Sequence, residues 1–305
     1  MTKYLETRSI MNNQKSDSIQ IARQFLDSLV VEGRIIGAEH PTSKVTALGM
    51  NFETPIMTGA LSHLKRGMTG LAEGAKIAGS LCSIGMGDND SLREVLATGA
   101  KVIKIIKPYA DKEEILSRIR FAEENGAVGV GMDVEHSVNS DNDADSVVMG
   151  LQMKLPTLKE LKEYINSTKL PFFIKGALSV QDAQRAKELG CAGVILSHHN
   201  GLMRWATPPY MLLPEIRKAV GDDFLLIADG GIQDGFDAFK AIALGADLVC
   251  VGRALMPAYD ENGSDGVAQV IRKMTDELKA MMVRTGSPDP KHIDQSVIHY
   301  APWLK

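Results

Sequence analysis

Eight short apolar runs recur along the 305-residue chain, and each is followed by a turn and a segment whose apolar residues have helical spacing. The runs span residues 55–58, 79–84, 101–106, 128–132, 172–175, 193–197, 224–228 and 248–252. Apolar runs without polar–apolar alternation are typical of parallel strands that are covered on both faces. Eight such βα units in succession predict an α/β fold in which a single (β/α)₈ TIM barrel domain spans residues 1–305.

The segments outside these units predict an extra helix at each end of the barrel. Residues 18–32 have the spacing of an N-terminal helix, and residues 265–283 carry the apolar stripe of a C-terminal closing helix. Residues 287–305 show no strong period. The polar insertion at residues 135–154 follows the fourth strand on the side where such a barrel has its site, so a lid and a plain surface loop are both compatible with it.

Composition argues against several classes of protein. The net charge of −4 gives no basic footprint for nucleic acid and little attraction to an anionic membrane. The N-terminal segment lacks the apolar core of a signal peptide, and no apolar stretch approaches the roughly 20 residues of a membrane span. Cys82, Cys191 and Cys250 are too scattered for a metal site or a disulfide framework, so we expect them to be buried in a reduced, cytoplasmic protein.

The carboxyl ends of the predicted strands carry most of the residues that could perform chemistry. Active sites of (β/α)₈ barrels lie at this end, which makes these residues the candidates for the site. In chain order they are Ser83, Lys104, Lys107, Asp133, Lys175, Ser197, His198, His199, Asp229, Gly230, Gly231, Gly252 and Arg253.

The last two strand ends predict a phosphate site. Asp229-Gly230-Gly231 and Gly252-Arg253 each precede a helix, and backbone N–H groups at glycine corners and helix N-termini bind anions. Arg253 adds a guanidinium fork, and the loops after strands seven and eight form the usual phosphate pocket of this fold. The pattern fits many phosphate-binding barrels and does not by itself name the ligand.

Lys175 and the pair His198-His199 are candidates for catalysis. An ammonium at the end of an apolar strand needs a partner, and for Lys175 both a reduced flavin and a carboxylate such as Asp133 or Asp229 remain open. Neighbouring strand residues point in opposite directions, so at most one histidine faces the pocket. Asp133 could orient that imidazole as a carboxylate orients a catalytic base, although a structural histidine is equally compatible.

At these residues the sequence resembles the FMN-dependent α-hydroxy acid oxidases and dehydrogenases, which include lactate oxidase and glycolate oxidase. The resemblance is strongest over residues 171–294 and reaches weakly back to about residue 54. It is carried by Phe173-Ile174-Lys175-Gly176, Asp182-Ala183, the stretch from Ser197 to Gly201, Asp229-Gly230-Gly231-Ile232, Phe239-Lys240-Ala241, Leu244-Gly245-Ala246 and Val251-Gly252-Arg253.

The resemblance implies an FMN-dependent oxidoreductase that acts on a small-molecule substrate and forms homo-oligomers, often tetramers. It implies that His199 is the active-site base, that Asp133 is its partner, and that Lys175 contacts the N1/O2 edge of the flavin. The residues expected to bind the cofactor are Ala60, Ser83, Lys104, Lys175, Ser197, Asp229, Gly230, Gly231, Gly252 and Arg253.

The substrate side of the sequence departs from the family pattern. The family motif Ser-Asn-His-Gly-Gly-Arg reads Ser197-His198-His199-Asn200-Gly201-Leu202 here, so Leu202 stands where an arginine clamps the substrate carboxylate. Residues 135–145 contain no arginine that could form the second half of the clamp. Arg204 lies two residues beyond Leu202 and is the candidate replacement in the substrate site.

Three further positions differ. The family tyrosine on strand three aligns with Ile106, and Tyr109 is out of register. The N-terminal substrate tyrosine has no clear equivalent, although Tyr4 is present, and Gln233 stands in place of an arginine near the phosphate.

These departures leave several functions open. The loss of both clamp arginines should cost on the order of 2–5 kcal/mol of substrate binding, so we expect lactate and glycolate to be poor substrates. The favoured function is a flavin oxidoreductase with an altered substrate. The alternatives are an FMN-binding protein without hydroxy acid oxidation (regulatory or a carrier), a flavin-dependent isomerase such as the type 2 isopentenyl diphosphate isomerase, and a phosphosugar barrel without flavin.

Overall fold

The computed structural model describes residues 17–61, 64, 66–138, 147, 148 and 150–301. Within them the strands are β1 (Leu29–Val31), β2 (Val45–Ala47), β3 (Met50–Phe52), β4 (Ile56–Thr58), β5 (Cys82–Ile84), β6 (Val102–Ile106), β7 (Gly129–Asp133), β8 (Val147–Val148), β9 (Leu151–Gln152), β10 (Phe172–Lys175), β11 (Gly193–Leu196), β12 (Leu225–Asp229), β13 (Leu248–Val251) and β14 (Ile298–Tyr300). The helices are α1 (Ser18–Asp27), α2 (Thr69–Ile77), α3 (Asn89–Ala97), α4 (Lys112–Glu124), α5 (Leu158–Asn166), α6 (Val180–Leu189), α7 (Pro209–Val220), α8 (Gly235–Ala243) and α9 (Met256–Arg284).

Eight parallel strands form one sheet in the order β4-β13-β12-β11-β10-β7-β6-β5. The two edges of this sheet meet, because the backbone N–H of Thr58 donates to the carbonyl of Leu81 at 3.3 Å and that of Ser83 donates to Oγ1 of Thr58 at 3.0 Å. Each of these strands lies within two residues of an apolar run in the sequence. The predicted (β/α)₈ barrel is therefore confirmed.

The interior and the outer face of the barrel wall carry two separate apolar clusters. The interior cluster comprises Ala47, Phe52, Met57, Leu81, Ile103, Ile105, Phe173, Ile195, Ile227, Leu248 and Cys250. The outer cluster, between strands and helices, includes Ile84, Val102, Ile106, Val130, Met132, Ile174, Leu196 and Ala228. Successive side chains of a strand point to opposite faces. The face of each strand-end residue therefore follows from its position along the strand.

The amino end of the barrel is closed by the β2–β3 hairpin. Leu48 and Gly49 have φ of +54° and +71°, as a two-residue hairpin turn requires. The hairpin places Ala47 and Phe52 against the interior cluster. This plug leaves the carboxyl end of the barrel as the open end of the interior.

The N-terminal helix is shorter than the sequence predicts, because α1 ends at Asp27 and the chain continues into β1. The β-branched pair Val30-Val31 favours a strand, and β1 pairs antiparallel with β14. The segment from residue 287 onward, which shows no period, contributes β14 to this ribbon. A three-residue strand is too short to leave a periodic signal.

The closing helix is longer than predicted. The helix α9 spans Met256–Arg284 with a break at Gly263, where φ is +60° and ψ is −137°. The prediction began at residue 265, just beyond that break. None of the described helices combines the length and apolar composition needed to cross a membrane.

Two further expectations concern the insertion and the cysteines. The insertion at residues 135–154 contains a 3₁₀ turn at Val134–Ser137 and the β8–β9 hairpin, whereas residues 139–146 and 149 lie outside the described residues, and so does Tyr4. The choice between lid and loop therefore stays open. All three cysteines are free and buried, as predicted.

Candidate active site

In the part of the chain that the structure describes, six polar side chains lie on the interior face at the carboxyl end of the barrel. Counting along each strand from the interior cluster gives Ser83, Lys107, Asp133, Lys175, Ser197 and Asp229. Five of these were predicted for the site, and Lys107 was recognised only as a strand-end residue. The barrel wall therefore gathers residues that are far apart in the sequence into one ring.

One carboxylate oxygen is the centre of this ring. Oδ2 of Asp133 lies 2.8 Å from Nζ of Lys107, 3.0 Å from Nδ1 of His199 and 3.4 Å from Nζ of Lys175. Nζ of Lys175 also lies 3.2 Å from Nδ1 of His199. The other oxygen, Oδ1 of Asp133, is buried and has no hydrogen-bond partner among the described residues. The predicted trio of His199, Asp133 and Lys175 is therefore in direct contact.

The charges in this cluster control one another's protonation. Burial would raise the pKa of Asp133, but the ammonium of Lys175 and the contacts with His199 and Lys107 hold it well below its ordinary value. Burial lowers the pKa of Lys107 in spite of Asp133, whereas the neighbouring carboxylates keep that of Lys175 raised. Asp133 is therefore ionised, and both ammonium groups depend on it for compensation.

His199 has the geometry of a base held by a carboxylate. Burial lowers its pKa despite the bond to Asp133, so the imidazole is neutral at neutral pH. Its φ of +43° is one that histidine tolerates better than most residues, and the turn is fixed by its own N–H donating to Oγ of Ser197 at 3.1 Å. The ring of His136 packs edge-on against it, with centroids 4.6 Å apart. Sequence reasoning did not identify His136.

The side chain of His198 bonds to the backbone and does not contact the carboxylate cluster. Its Nδ1 accepts from the N–H of Gly201 at 3.0 Å, and the side chain is buried. A Cβ added at Gly230 would lie 3.3 Å from Nε2 of His198, so this ring packs under the neighbouring glycine corner. As expected for adjacent residues, only one of the two histidines reaches the carboxylate cluster.

The ends of β11 and β12 are joined by hydrogen bonds. Oγ of Ser197 donates to Oδ2 of Asp229 at 2.9 Å, and the hydroxyl of Tyr210 donates to the carbonyl of Gly230. Gly230 and Gly231 have φ of +121° and +77°, which favours glycine, and no atom of the described residues lies within 4 Å of the position of a Cβ at Gly231. The corner thus leaves its backbone open to a ligand.

The N-terminal helix reinforces this corner. The guanidinium of Arg23 in α1 donates to both carboxylate oxygens of Asp237, at 2.6 and 2.8 Å, and to the carbonyl of Gly231 at 3.1 Å. Asp237 in turn accepts from the backbone N–H of Gln233 at 3.0 Å. Arg23 therefore supplies a cation beside the loop in which Gln233 replaces the arginine of the family. Sequence reasoning missed Arg23, because nothing local links it to a loop more than 200 residues away.

The residues present fit FMN. Oγ of Ser83 is buried on the interior face and lacks a hydrogen-bond partner among the described residues, as a group that meets a polar ring edge would. Lys175 points into the same interior, Ala60 packs at the interior cluster, and the glycine corner together with Arg253 offers donors for a phosphate. Gly252, whose Cβ position faces only Leu61, completes the second corner.

Lys104, which the sequence predicted to contact the cofactor, does not face the barrel interior. It follows Val102 and precedes Ile106 on the outer face of β6, where Nζ donates to the carbonyl of Gly85 at 2.5 Å. Burial and the nearby Arg118 lower its pKa to about 7. This placement, between the barrel wall and the helices, does not support the expected contact with the cofactor. By the same alternation Ile106 faces the helices, and Lys107 takes the inward position next to it.

A cavity of about 810 Å³ lies on the outer side of β10, between α5 and α6, and Asp133, Lys175 and His199 are not among the residues that line it. Its wall includes Glu135, Leu202 and Arg204. Arg204 is exposed, and no described contact joins it to Asp133, Lys175 or His199. Burial raises the pKa of Glu135 to about 7, and its Oε2 lacks a partner among the described residues.

The fold and the site together define a class of protein: a (β/α)₈ barrel with a glycine corner and a lysine–histidine–carboxylate cluster at its mouth. The family described as FMN-dependent dehydrogenase matches residues 135–300, and the chain belongs to this family. FMN is thereby the cofactor of the class, as the sequence predicted.

Known proteins are similar over different lengths. The L-lactate oxidase of Lactobacillus jensenii is 28% identical over 309 residues, which cover 89% of this chain and 76% of that protein. The L-lactate oxidase of Alicycliphilus denitrificans is 40% identical over 141 residues, and the match spans about two fifths of its length, 39%, and 46% of this chain. A structure of a mandelate oxidase variant with a monooxide FMN adduct superposes with a TM-score of 0.85 at 27% identity, covering 94% of this chain and 92% of that one.

Proposed function

We propose that the protein is an FMN-dependent oxidoreductase that oxidises a hydroxy acid and binds its carboxylate differently from lactate oxidase. The observation that carries this proposal is the single oxygen of Asp133 shared by His199, Lys175 and Lys107. A base, an orienting carboxylate and a cation that faces the barrel interior are the groups that removal of a hydroxyl proton requires.

His199 is the proton acceptor in this proposal. The ionised Asp133 favours the tautomer in which Nδ1 carries hydrogen, because a carboxylate can only accept. Nε2 is then the atom that takes the hydroxyl proton of the substrate. Asp133 stabilises the imidazolium that results, in the way a buried carboxylate supports a catalytic histidine.

Bound FMN would supply the acceptor for the hydrogen of the α-carbon and the two electrons of its C–H bond, while His199 takes the hydroxyl proton. Lys175 and Ser83 would hold its ring edge, with Ala60 against the ring face. Its phosphate would lie at the backbone of Gly230, Gly231 and Gly252 with Arg253 and Asp229, and Ser197 would fix the position of Asp229. The ammonium of Lys175 favours negative charge beside it.

The names of the similar proteins support this chemistry, and Leu202 in place of the clamp arginine of the family supports a change of substrate. The same leucine is what favours the alternative, an FMN-binding protein without turnover. We also propose, on the resemblance alone, that the protein works in the cytoplasm as a homo-oligomer and that its single domain extends over residues 1–305.

The visible spectrum of the purified protein under anaerobic conditions tests the proposal. We expect flavin bands that bleach on addition of a 2-hydroxy acid, with L-lactate and glycolate weaker than acids with longer side chains. Bands that persist with every 2-hydroxy acid, from glycolate to mandelate, would refute the oxidoreductase and leave the flavin-binding alternative.

A further inference from the structure

Two buried lysines share one carboxylate at the mouth of the barrel. The side chain of Lys107 is only 6% exposed and that of Lys175 5%, and both ammonium groups contact Oδ2 of Asp133. His199 is neutral, and burial lowers the pKa of His136 to about 4, so neither ring adds negative or positive charge at neutral pH. Asp133 can neutralise only one of the two ammonium groups, and Asp229 also stabilises the charge of Lys175, so the less compensated ammonium is that of Lys107.

Glu135 compensates for this charge only in part. Its carboxyl group is the next acidic neighbour of Lys107 after Asp133, but its pKa of about 7 leaves it substantially protonated near neutral pH. A desolvated ammonium without full compensation is costly, and an anion bound beside it removes that cost. The carboxylate cluster thus has the electrostatics of a site for a monovalent anion.

Of the two lysines, Lys107 is the one placed for a substrate. The proposed function assigns the ammonium of Lys175 to the flavin, whereas the described contacts of Lys107 use only one of its three N–H donors, on Asp133. Lys107 and His199 share Oδ2 of Asp133, so the two groups stand side by side. A 2-hydroxy acid carries its hydroxyl and its carboxylate on adjacent carbon atoms, which matches two neighbouring binding groups.

We propose that Lys107 binds the carboxylate of the substrate and thereby replaces the arginine clamp that Leu202 has lost. This inference rests on the proposed function for the identity of the substrate, but the anion site itself does not. An ammonium is a point charge without the planar fork of arginine. The structure thus assigns the protein a weaker and less geometrically selective hold on small monocarboxylates.

Anion binding to the FMN-loaded protein tests Lys107 without turnover. Oxalate and pyruvate are titrated, and the shift of the flavin absorbance bands gives their Kd in the parent protein and in Lys107→Gln, Lys107→Arg and Lys101→Gln. The control Lys101 is an exposed lysine at the opposite end of β6, and its substitution removes the same charge. Flavin content and the thermal midpoint are measured on every variant.

We expect Lys107→Gln to raise the Kd of both anions at least tenfold, Lys107→Arg to restore binding to within about fivefold of the parent, and Lys101→Gln to change it less than twofold. Equal binding by the parent and Lys107→Gln would overturn the proposal, as would an equal loss in Lys101→Gln or a parent that binds neither anion. Should Lys107→Gln not fold, an arginine variant that fails to bind either anion would overturn it as well.

The two proposals fail in different ways. A parent protein that binds oxalate through Lys107 but is reduced by no hydroxy acid would refute the proposed oxidation and support the anion site. Flavin reduction in the Lys107→Gln variant at the rate of the parent protein, with an unchanged KM, would refute the anion site and support the proposed oxidation.

Discussion

The two sides of the barrel mouth differ in how their polar groups are compensated. On the side of β11, β12 and α1, Ser197 bonds Asp229, Arg23 bonds Asp237, and the turn of His199 is bonded to Ser197. On the side of β6, β7 and β10, two ammonium groups share one oxygen of Asp133. Among the described residues, buried carboxylate oxygens without a hydrogen-bond partner also lie there, on Asp133 and Glu135, whereas the unpartnered buried atom on the first side is Nε2 of His198.

This difference coincides with the family motifs. The segments that match the family lie mainly on the first side, whose glycine corner suits a phosphate. The departure at Leu202 and the buried Lys107 concern the proposed substrate rather than the phosphate. Uncompensated buried charge is costly, so its concentration on one side indicates that a ligand of this protein completes it.

The largest expected effect is at His199. With the best hydroxy acid as substrate, His199→Gln should slow anaerobic flavin reduction by about 10²- to 10⁴-fold, because the variant cannot accept the hydroxyl proton. The flavin content should be unchanged. Stopped-flow absorbance measures the rate, and a loss below tenfold would assign the base to another group.

His198→Gln is the matched control for that variant. His198 bonds the backbone of Gly201 and lies under Gly230, so we expect a lower thermal midpoint rather than a slower chemical step. Equal kinetic losses in the two variants would mean that both histidines act through the fold of the same turn.

The next effect is a dependence of stability on pH that originates in Glu135. Its pKa rises from an ordinary 4.5 to about 7 on folding, so the folded state binds more protons than the unfolded state between these values. The contribution of Glu135 to stability is therefore greatest below about pH 4.5 and declines as the pH rises to 7. At about 1.4 kcal/mol per unit, the decline is at most roughly 3 kcal/mol.

Glu135→Gln should remove this loss of stability with rising pH. We expect the variant to be more stable than the parent at pH 8 and to lose that advantage at pH 5, as measured by urea unfolding at both values. The same change of stability at both pH values would show that Glu135 titrates normally. Glu163→Gln is a suitable control, because that carboxyl is at the surface and bonded to Lys112.

The fold and half of the site were predictable because their signals are local. A strand buried on both faces reads as an apolar run, and glycine corners followed by a helix read as a phosphate site. The trio of Asp133, Lys175 and His199 could be placed at one rim because the carboxyl ends of parallel strands share that rim.

The remainder depends on register and on distant contacts. A shift of one residue on β6 exchanges Lys104 for Lys107 at the interior face, and an apolar run with two lysines does not reveal which of them points inward. The structure identifies Ile103 and Ile105 as interior residues, and because every second residue of a strand shares a face, Lys107 faces the interior as well. Arg23 and the pair β1–β14 depend on contacts between opposite ends of the chain.

A smaller effect is expected on the better-compensated side, at Arg23. We expect Arg23→Met to raise the Kd of FMN about tenfold, measured by fluorescence titration of the apoprotein, because the loop of Gly231 and Gln233 loses its support. Asp237 would be left as a buried, unpaired carboxylate, so Arg23→Met is compared with a variant that also carries Asp237→Asn. Unchanged FMN affinity in both would mean that α1 has no part in the phosphate corner.

The smallest effect is expected at Arg204, and it decides which cation replaces the lost clamp. Arg204 is exposed at the rim of the cavity, and surface charges contribute little to binding because water and salt screen them. We expect Arg204→Ala to change the KM for the best hydroxy acid less than threefold, whereas the KM of Lys107→Gln rises at least tenfold. The reverse ranking, with Arg204→Ala the more damaging change, would mean that the β11–α7 loop closes over the substrate and that the arginine clamp has moved by two residues rather than been lost.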